Sequence, residues 1–395
     1  MNSLASDVIP KTSGGLAPQG RFAQRDFWLR VLLVVGLMFV FLVGVGGLSS
    51  GFKGLGKGVL NDFFKTASNP FVGLVLGILA TTLVQSSSAT TTLIVGLVGT
   101  GQLGVPAAIP MIMGANIGTT VTNSIVALGH MSRPAEFRRA FAAATCHDFF
   151  NFLTVAVLLP LEIATGILQK MSHELTLLLA DSSGAKFPNP VKDATKAAIK
   201  PVKNLFAYIT DSKQAQSLLL IGFAAIVIFS TLYLITKVLR AITASQSEGF
   251  ISRALGKSAA LGVVVGVIVT VMVQSSSITT STLIPLAGAG LITLEMVFPI
   301  TVGANIGTTV TALLASLAVP GEGFQLGLQI ALVHLLFNLA GVLFFFIPQT
   351  TRQLPLRAAR WLADVAVDSK KWALLYIVGL FYGVPAALIG ISKLF

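Results

Sequence analysis

Between residues 71 and 129 the chain carries no Asp, Glu, Lys or Arg, yet its middle holds Gln85-Ser86-Ser87-Ser88-Ala89-Thr90-Thr91-Thr92, seven polar residues in eight positions. Apolar stretches flank this block, residues 72–84 before it and 93–98 after it. Hydrocarbon offers no water to an amide or hydroxyl, so in a membrane such a block must face protein, a cavity or a bound solute. The block returns as Gln274-Ser275-Ser276-Ser277-Ile278-Thr279-Thr280-Ser281.

The membrane itself follows from composition. Of 395 residues 54% are hydrophobic and 11% charged, with a mean hydropathy of +0.84, whereas soluble domains carry about 25% charge. Apolar runs near the roughly 20 residues of a helical span recur, and no alternating strand pattern does, so the chain reads as an all-α polytopic membrane protein. The net charge of +12 lies mostly between apolar runs, as topology signals and headgroup contacts rather than a nucleic-acid surface. One cysteine, Cys146, excludes an intrachain disulfide, and no Asn-x-Ser/Thr acceptor occurs. Both suit a multi-pass protein of the cell membrane, a bacterial inner membrane in particular. The apolar run after Phe27 is too long for a cleavable signal and reads as a retained first span.

The expected organisation is a cytoplasmic tail over 1–25, a first repeat over 26–160, a central linker over 161–217, a second repeat over 218–350, and a basic segment with a C-terminal helix over 351–395. Plain spans are predicted over 28–48, 141–160, 218–239, 326–347 and 372–391, and an amphipathic stretch over 51–67 is expected to lie along an interface. Segments 71–129 and 259–319 are cut by Gly, Pro and polar runs into pieces too short for plain spans. Broken helices and re-entrant hairpins are predicted there.

The two copies align at a constant offset of 189 positions, from Gln85 to Gln274 and from Asn116 to Asn305. Gly114 to Thr122 repeats as Gly303 to Thr311 without a change, and His147-x-x-Phe150-Asn151 returns as His334-x-x-Phe337-Asn338. Residues 131–139 hold three arginines, whereas 319–324 hold only Glu322. If basic loops stay inside, the copies end on opposite sides, and the repeats are inverted.

Hydroxyls that bond back to their own helix and let helices approach closely explain scattered Ser and Thr, but explain poorly a Gln followed by three serines, twice. A midplane site shared by both copies explains it better. The Gly-Ala-Asn-Ile-Gly-Thr-Thr segments supply either a helix-packing face or the second wall of that site. Neutral oxygens bind hard monovalent cations, while hydroxyls, backbone N–H groups and helix N-termini hold anions; Cys/His ligand spacing for a soft metal is missing. Sodium with an oxyanion fits both halves of this chemistry, and the cation offsets the anion's burial. Asp148 falls deep inside the predicted span over 141–160, where a carboxylate marks function or a structural pairing with His147 or an arginine. Glu295 is expected at a surface turn, and the histidines as packing residues.

The paired Gln-Ser-Ser-Ser blocks, each followed by Gly-Ala-Asn-Ile-Gly-Thr-Thr, and the run Glu136-Phe137-Arg138-Arg139-Ala140-Phe141 leading to His147-Asp148-Phe149-Phe150-Asn151, closely resemble the type II sodium-dependent phosphate cotransporter family. The resemblance implies uptake of inorganic phosphate, mainly the divalent form, driven by sodium, with no enzymatic chemistry and no cofactor. It implies phosphate ligands at Gln85, Ser86, Ser87, Ser88, Gln274, Ser275, Ser276 and Ser277. Sodium ligands are implied among Gln85, Ser88, Asn116, Thr119, Asp148, Gln274, Ser275, Asn305, Thr308 and Thr311. Ala142, Ala144 and Asp148 resemble the residues of electrogenic members, which implies a further sodium near Asp148. Membrane lipid is an expected partner, and assembly as a homo-oligomer is left open. Proton coupling through Asp148, His147 or Glu295, and a phosphate channel or sensor, are the alternative functions.

Overall fold

The computed structural model describes residues 22–55, 69–181, 190–254, 258–319 and 323–392, and every regular element among them is helical. Among the described residues seven helices are long and apolar enough to cross a membrane: Trp28–Leu48, Val105–Leu128, Pro134–Thr165, Lys213–Ile235, Leu294–Leu317, Gly323–Phe345 and Lys370–Leu388. With backbone groups satisfied inside each helix, this is the architecture that hydrocarbon demands.

Helix α1 (Phe22–Leu55) packs along α9 (Lys213–Ala254). The first repeat holds α2 (Pro70–Val84), α3 (Ser87–Gly99), α4 (Val105–Thr119), α5 (Val121–Leu128) and α6 (Pro134–Thr165). The second answers with α10 (Ala259–Val273), α11 (Ser276–Ser281), α12 (Leu283–Gly288), α13 (Leu294–Leu317) and α14 (Gly323–Phe345). Between them lie α7 (Ile167–Asp181) and α8 (Pro190–Ile209); after them come α15 (Gln349–Asp368), α16 (Lys370–Val378), a π turn over Gly379–Gly383, and α17 (Val384–Ser392).

Each repeat opens with a tight helical hairpin, α2 on α4 and α10 on α13. Glycine makes the approach possible. A Cβ on Gly77 would lie 2.1 Å from the Met111 carbonyl oxygen, and one on Gly266 the same 2.1 Å from that of Ile300. From the facing helix, Gly114 and Gly303 would each meet a carbonyl oxygen at 2.0 Å, those of Leu74 and Val263. Gly118 and Gly307 press on Thr81 and Thr270 in the same way. The glycines of the Gly-Ala-Asn-Ile-Gly-Thr-Thr segments are therefore packing residues, which is how small residues bring membrane helices together.

The sequence expectation differs from the fold in several places. Residues 294–317 form one continuous helix of 24 residues, and 105–128 a helix pair interrupted only at Thr120. Both are long enough to cross, not fragments. Pro106 sits in the first turn of α4, where its missing N–H is harmless, and Pro110 and Pro299 are accommodated within their helices. The break falls earlier, at the glutamines. Residues 51–55 extend α1 rather than starting an interfacial segment, and 56–68 lie outside the described residues, as do the tail over 1–21 and Glu322. Much of the central linker is helical, in α7 and α8. Glu295 is not in a turn but in the first turn of α13, exposed and ion-paired with Arg360.

Candidate functional site

Helix α2 ends at Gln85 with φ 57° and ψ 26°, and α10 ends at Gln274 with φ 54° and ψ 30°. Among the described residues these are the only non-glycine positions with positive φ. A left-handed helix end is ordinary for glycine, but a residue with a long side chain pays about 1–3 kcal/mol for it. Side-chain bonds hold both turns. Gln85 Nε2 donates to the Thr82 carbonyl at 2.5 Å and Oε1 accepts from Thr122 Oγ1 at 2.9 Å. Gln274 Nε2 donates to the Val271 carbonyl at 2.8 Å and Oε1 accepts from Thr311 Oγ1 at 2.9 Å.

One residue later the chain starts a new helix. Ser86 is extended, and its Oγ accepts from the Ala89 N–H at 3.3 Å; Ser275 does the same for Ile278 at 3.4 Å. Such a junction sets the last carbonyls of one helix beside the first N–H groups of the next, and Ser87, Ser88, Ser276 and Ser277 supply N–H groups without an intrahelical partner. Ser87 and Ser88 are each 6% exposed, and neither their hydroxyls nor those of Ser276 and Ser277 hydrogen-bond among the described residues. Chemically, each junction offers donors to an anion and carbonyls to a cation.

No hydrogen bond joins Ser86, Ser87 or Ser88 to Ser275, Ser276 or Ser277. The repeats meet through asparagine and histidine instead. His147 Nε2 donates to Asn305 Oδ1 at 2.6 Å, and Asn305 Nδ2 donates to Asn151 Oδ1 at 2.8 Å. Asn151 Nδ2 in turn donates to the Asn116 carbonyl at 2.9 Å. The partner histidine, His334, donates from Nε2 to Asn116 Oδ1 at 3.3 Å. Each histidine thus reaches the asparagine of the other repeat. Asn123 extends the chain of contacts, with Nδ2 donating to His147 Nδ1 at 3.4 Å and Oδ1 accepting from Thr280 of α11 at 2.9 Å. Thr280 ties the network to the second junction.

Of the remaining candidates, Thr119 and Thr308 turn their hydroxyls back to the Ala115 and Ala304 carbonyls at 2.8 and 3.0 Å. Asp148 is fully buried. Its partners are neither histidine nor arginine: Oδ2 accepts from Tyr376 at 2.7 Å and from Ser124 at 3.3 Å, the Thr120 side chain also faces the carboxylate, and Oδ1 makes no well-formed hydrogen bond among the described residues.

Comparison with known proteins covers the sequence runs that build these two junctions. The Na+/Pi-cotransporter model matches residues 40–176 and 226–363, so that each segment holds one Gln-Ser-Ser-Ser block and one His-x-x-Phe-Asn run. The chain belongs to the Na+/Pi-cotransporter family. It is 34% identical to the sodium-dependent phosphate transport protein 2B of Pongo abelii and to that of Homo sapiens, over 92% of this chain and 65% of each relative. It is 35% identical to the 2A protein of Rattus norvegicus over 92% of this chain and 68% of the relative. The chain thus spans about two thirds of the length of these relatives. No solved structure matches it. In the sequence, His147 and His334 read as packing residues, His147 also as an alternative pairing or proton-coupling group, while Asn151, Asn123 and Tyr376 were given no role. The repeated His-x-x-Phe-Asn run was a usable signal for three of them; Tyr376 has no counterpart in the repeats and gave none.

Proposed function

We propose that the chain imports inorganic phosphate, mainly as HPO4 2−, coupled to sodium, by alternating access around one midplane site shared by two inverted repeats. Phosphate is held by Gln85, Ser86, Ser87, Ser88, Gln274, Ser275, Ser276 and Ser277. Sodium is held by oxygens from the same blocks together with Asn116, Thr119, Asn305, Thr308, Thr311 and, for a further ion, Asp148. The cell membrane that carries it is a bacterial inner membrane. Family membership and the names of the relatives support the substrates. The observation that carries the mechanism is the matched pair of helix breaks at Gln85 and Gln274, which present anion donors and cation acceptors together without a formal charge.

Electrogenic transport is supported by Asp148, buried with one carboxylate oxygen unpartnered, on the helix α6 that also carries Ala142 and Ala144. Proton coupling finds less support. Glu295 is exposed and committed to Arg360, and both ring nitrogens of His147 are engaged by amides.

Uptake of labelled phosphate into proteoliposomes tests the proposal. An inward sodium gradient is expected to concentrate phosphate, with Asp148→Asn retaining some uptake but losing phosphate-evoked current. Equal uptake in potassium without sodium overturns sodium coupling, and equilibration without concentration points to a channel or a sensor.

A further inference from the structure

The helix α16 belongs to neither repeat, yet it sends Tyr376 into the bundle. The Tyr376 hydroxyl donates to Asp148 Oδ2 at 2.7 Å, a closer contact than the 3.3 Å from Ser124 to the same oxygen. Both donors therefore act on one carboxylate oxygen. The other, Oδ1, is enclosed and makes no well-formed hydrogen bond among the described residues, the Thr120 side chain being the one further polar group facing the carboxylate, and no Lys, Arg or His forms an ion pair with Asp148 there. A buried carboxylate left in that condition is strongly destabilised unless a cation or a proton joins it.

The tyrosine is held as well as aimed. Its ring stands edge-on to Phe141 of α6 at 6.3 Å and 78°, and to Phe381 at 6.1 Å and 89°. Phe381 is fully buried, with Phe152 at 6.4 Å on its far side. Phe381 lies in the π turn Gly379–Gly383, where the Val384 N–H bonds to the Gly379 carbonyl five residues back. Pro385 has no N–H to give the Phe381 carbonyl, so the ordinary α register fails there and the widened turn absorbs the mismatch. Aromatic packing of this kind removes rotamer freedom from the ring. The hydroxyl has one direction left to it.

We propose that Tyr376 is a positioning residue for the cation site at Asp148. By occupying Oδ2 it fixes the carboxylate plane so that Oδ1 faces a sodium ion, and it makes the C-terminal helix part of the coupling machinery. This rests on the assignment of Asp148 as a sodium ligand. Ser124, the weaker donor to the same oxygen, shares the role.

The test is the sodium dependence of labelled phosphate uptake by the full chain in proteoliposomes, for Tyr376→Phe, Ser124→Ala, Asp148→Asn and the Asp148→Asn, Tyr376→Phe double variant. Loss of a hydrogen bond to a charged group predicts a sodium half-saturation raised about tenfold in Tyr376→Phe. Ser124→Ala moves it the same way by less. Phosphate half-saturation at saturating sodium moves less than the sodium value does. In the Asp148→Asn background, removing the Tyr376 hydroxyl adds no further shift. Wild-type sodium dependence in Tyr376→Phe alongside an altered Asp148→Asn overturns the proposal, as do additive shifts in the double variant or equal changes for sodium and phosphate. If Asp148→Asn itself keeps the wild-type sodium dependence and charge per phosphate, the assignment of Asp148 fails first.

Discussion

His147 of α6 donates to Asn305 of α13 across 158 positions of sequence, at 2.6 Å and with both side chains buried. The counterpart contact, His334 to Asn116, is longer at 3.3 Å, and His334 Nδ1 has no partner among the described residues whereas His147 Nδ1 accepts from Asn123. The same pair of residue types therefore serves the two repeats unequally.

That inequality sets an order of cost. His147→Ala leaves the Asn305 oxygen and the Asn123 amide unpaired in the interior, a penalty of about 1–3 kcal/mol for each group. His334→Ala orphans one acceptor at a contact that is already long. Thermal unfolding of the two variants in the same detergent is expected to place His147→Ala below His334→Ala. The reverse order contradicts the cross-repeat network as drawn.

The strained turns separate stability from transport. Asn tolerates the left-handed region better than Gln, so Gln85→Asn relieves the backbone at φ 57° while its shorter amide falls back from Thr122. Expected outcomes are a melting temperature equal to wild type or higher, and phosphate uptake reduced at least about tenfold, as the loss of a positioned polar contact at the site implies. Full uptake in Gln85→Asn removes the glutamine side chain from the site.

Gly77 and Gly266 answer a different question. A methyl at either position meets a backbone carbonyl oxygen at 2.1 Å, and backbone in a continuous helix cannot swing aside. Gly77→Ala and Gly266→Ala are each expected to force a hairpin open at about 1–3 kcal/mol or more, read as lower yield of monodisperse protein and a lower melting temperature. Gly36→Ala, with open space around the added carbon, is the control.

Glu295 separates the two coupling ions. Its pairing with Arg360 is exposed, and exposed ion pairs contribute about 0–1 kcal/mol. Glu295→Gln is expected to keep sodium-driven uptake within about twofold of wild type. Loss of uptake there, with a new dependence on the pH gradient, favours proton coupling.

The constant offset between the copies was enough to pair Gln85 with Gln274 and Asn116 with Asn305, and the same offset carries Thr122 to Thr311, which bind those glutamines in the structure. Local chemistry is legible because a break in a membrane helix needs polar residues at the break itself. The extent of α13 was harder to see, since its proline and glycines read as interruptions when the facing helix that uses the glycines is unknown. The histidines looked like packing residues for a similar reason. The asparagines they reach across the repeats are 158 and 218 positions away, and the Asn four residues after each histidine does not say that the contact is to the other repeat. Tyr376, 228 positions from Asp148, is a single aromatic in a hydrophobic helix until the fold brings the two together.

Phosphate binding to the purified full chain in sodium, measured by titration calorimetry, distinguishes one shared site from two separate ones. Two repeats that build a single site bind one phosphate per chain, and Ser88→Ala and Ser277→Ala each weaken that one event. Two phosphates per chain, with each variant removing one and leaving the other intact, contradicts a shared site.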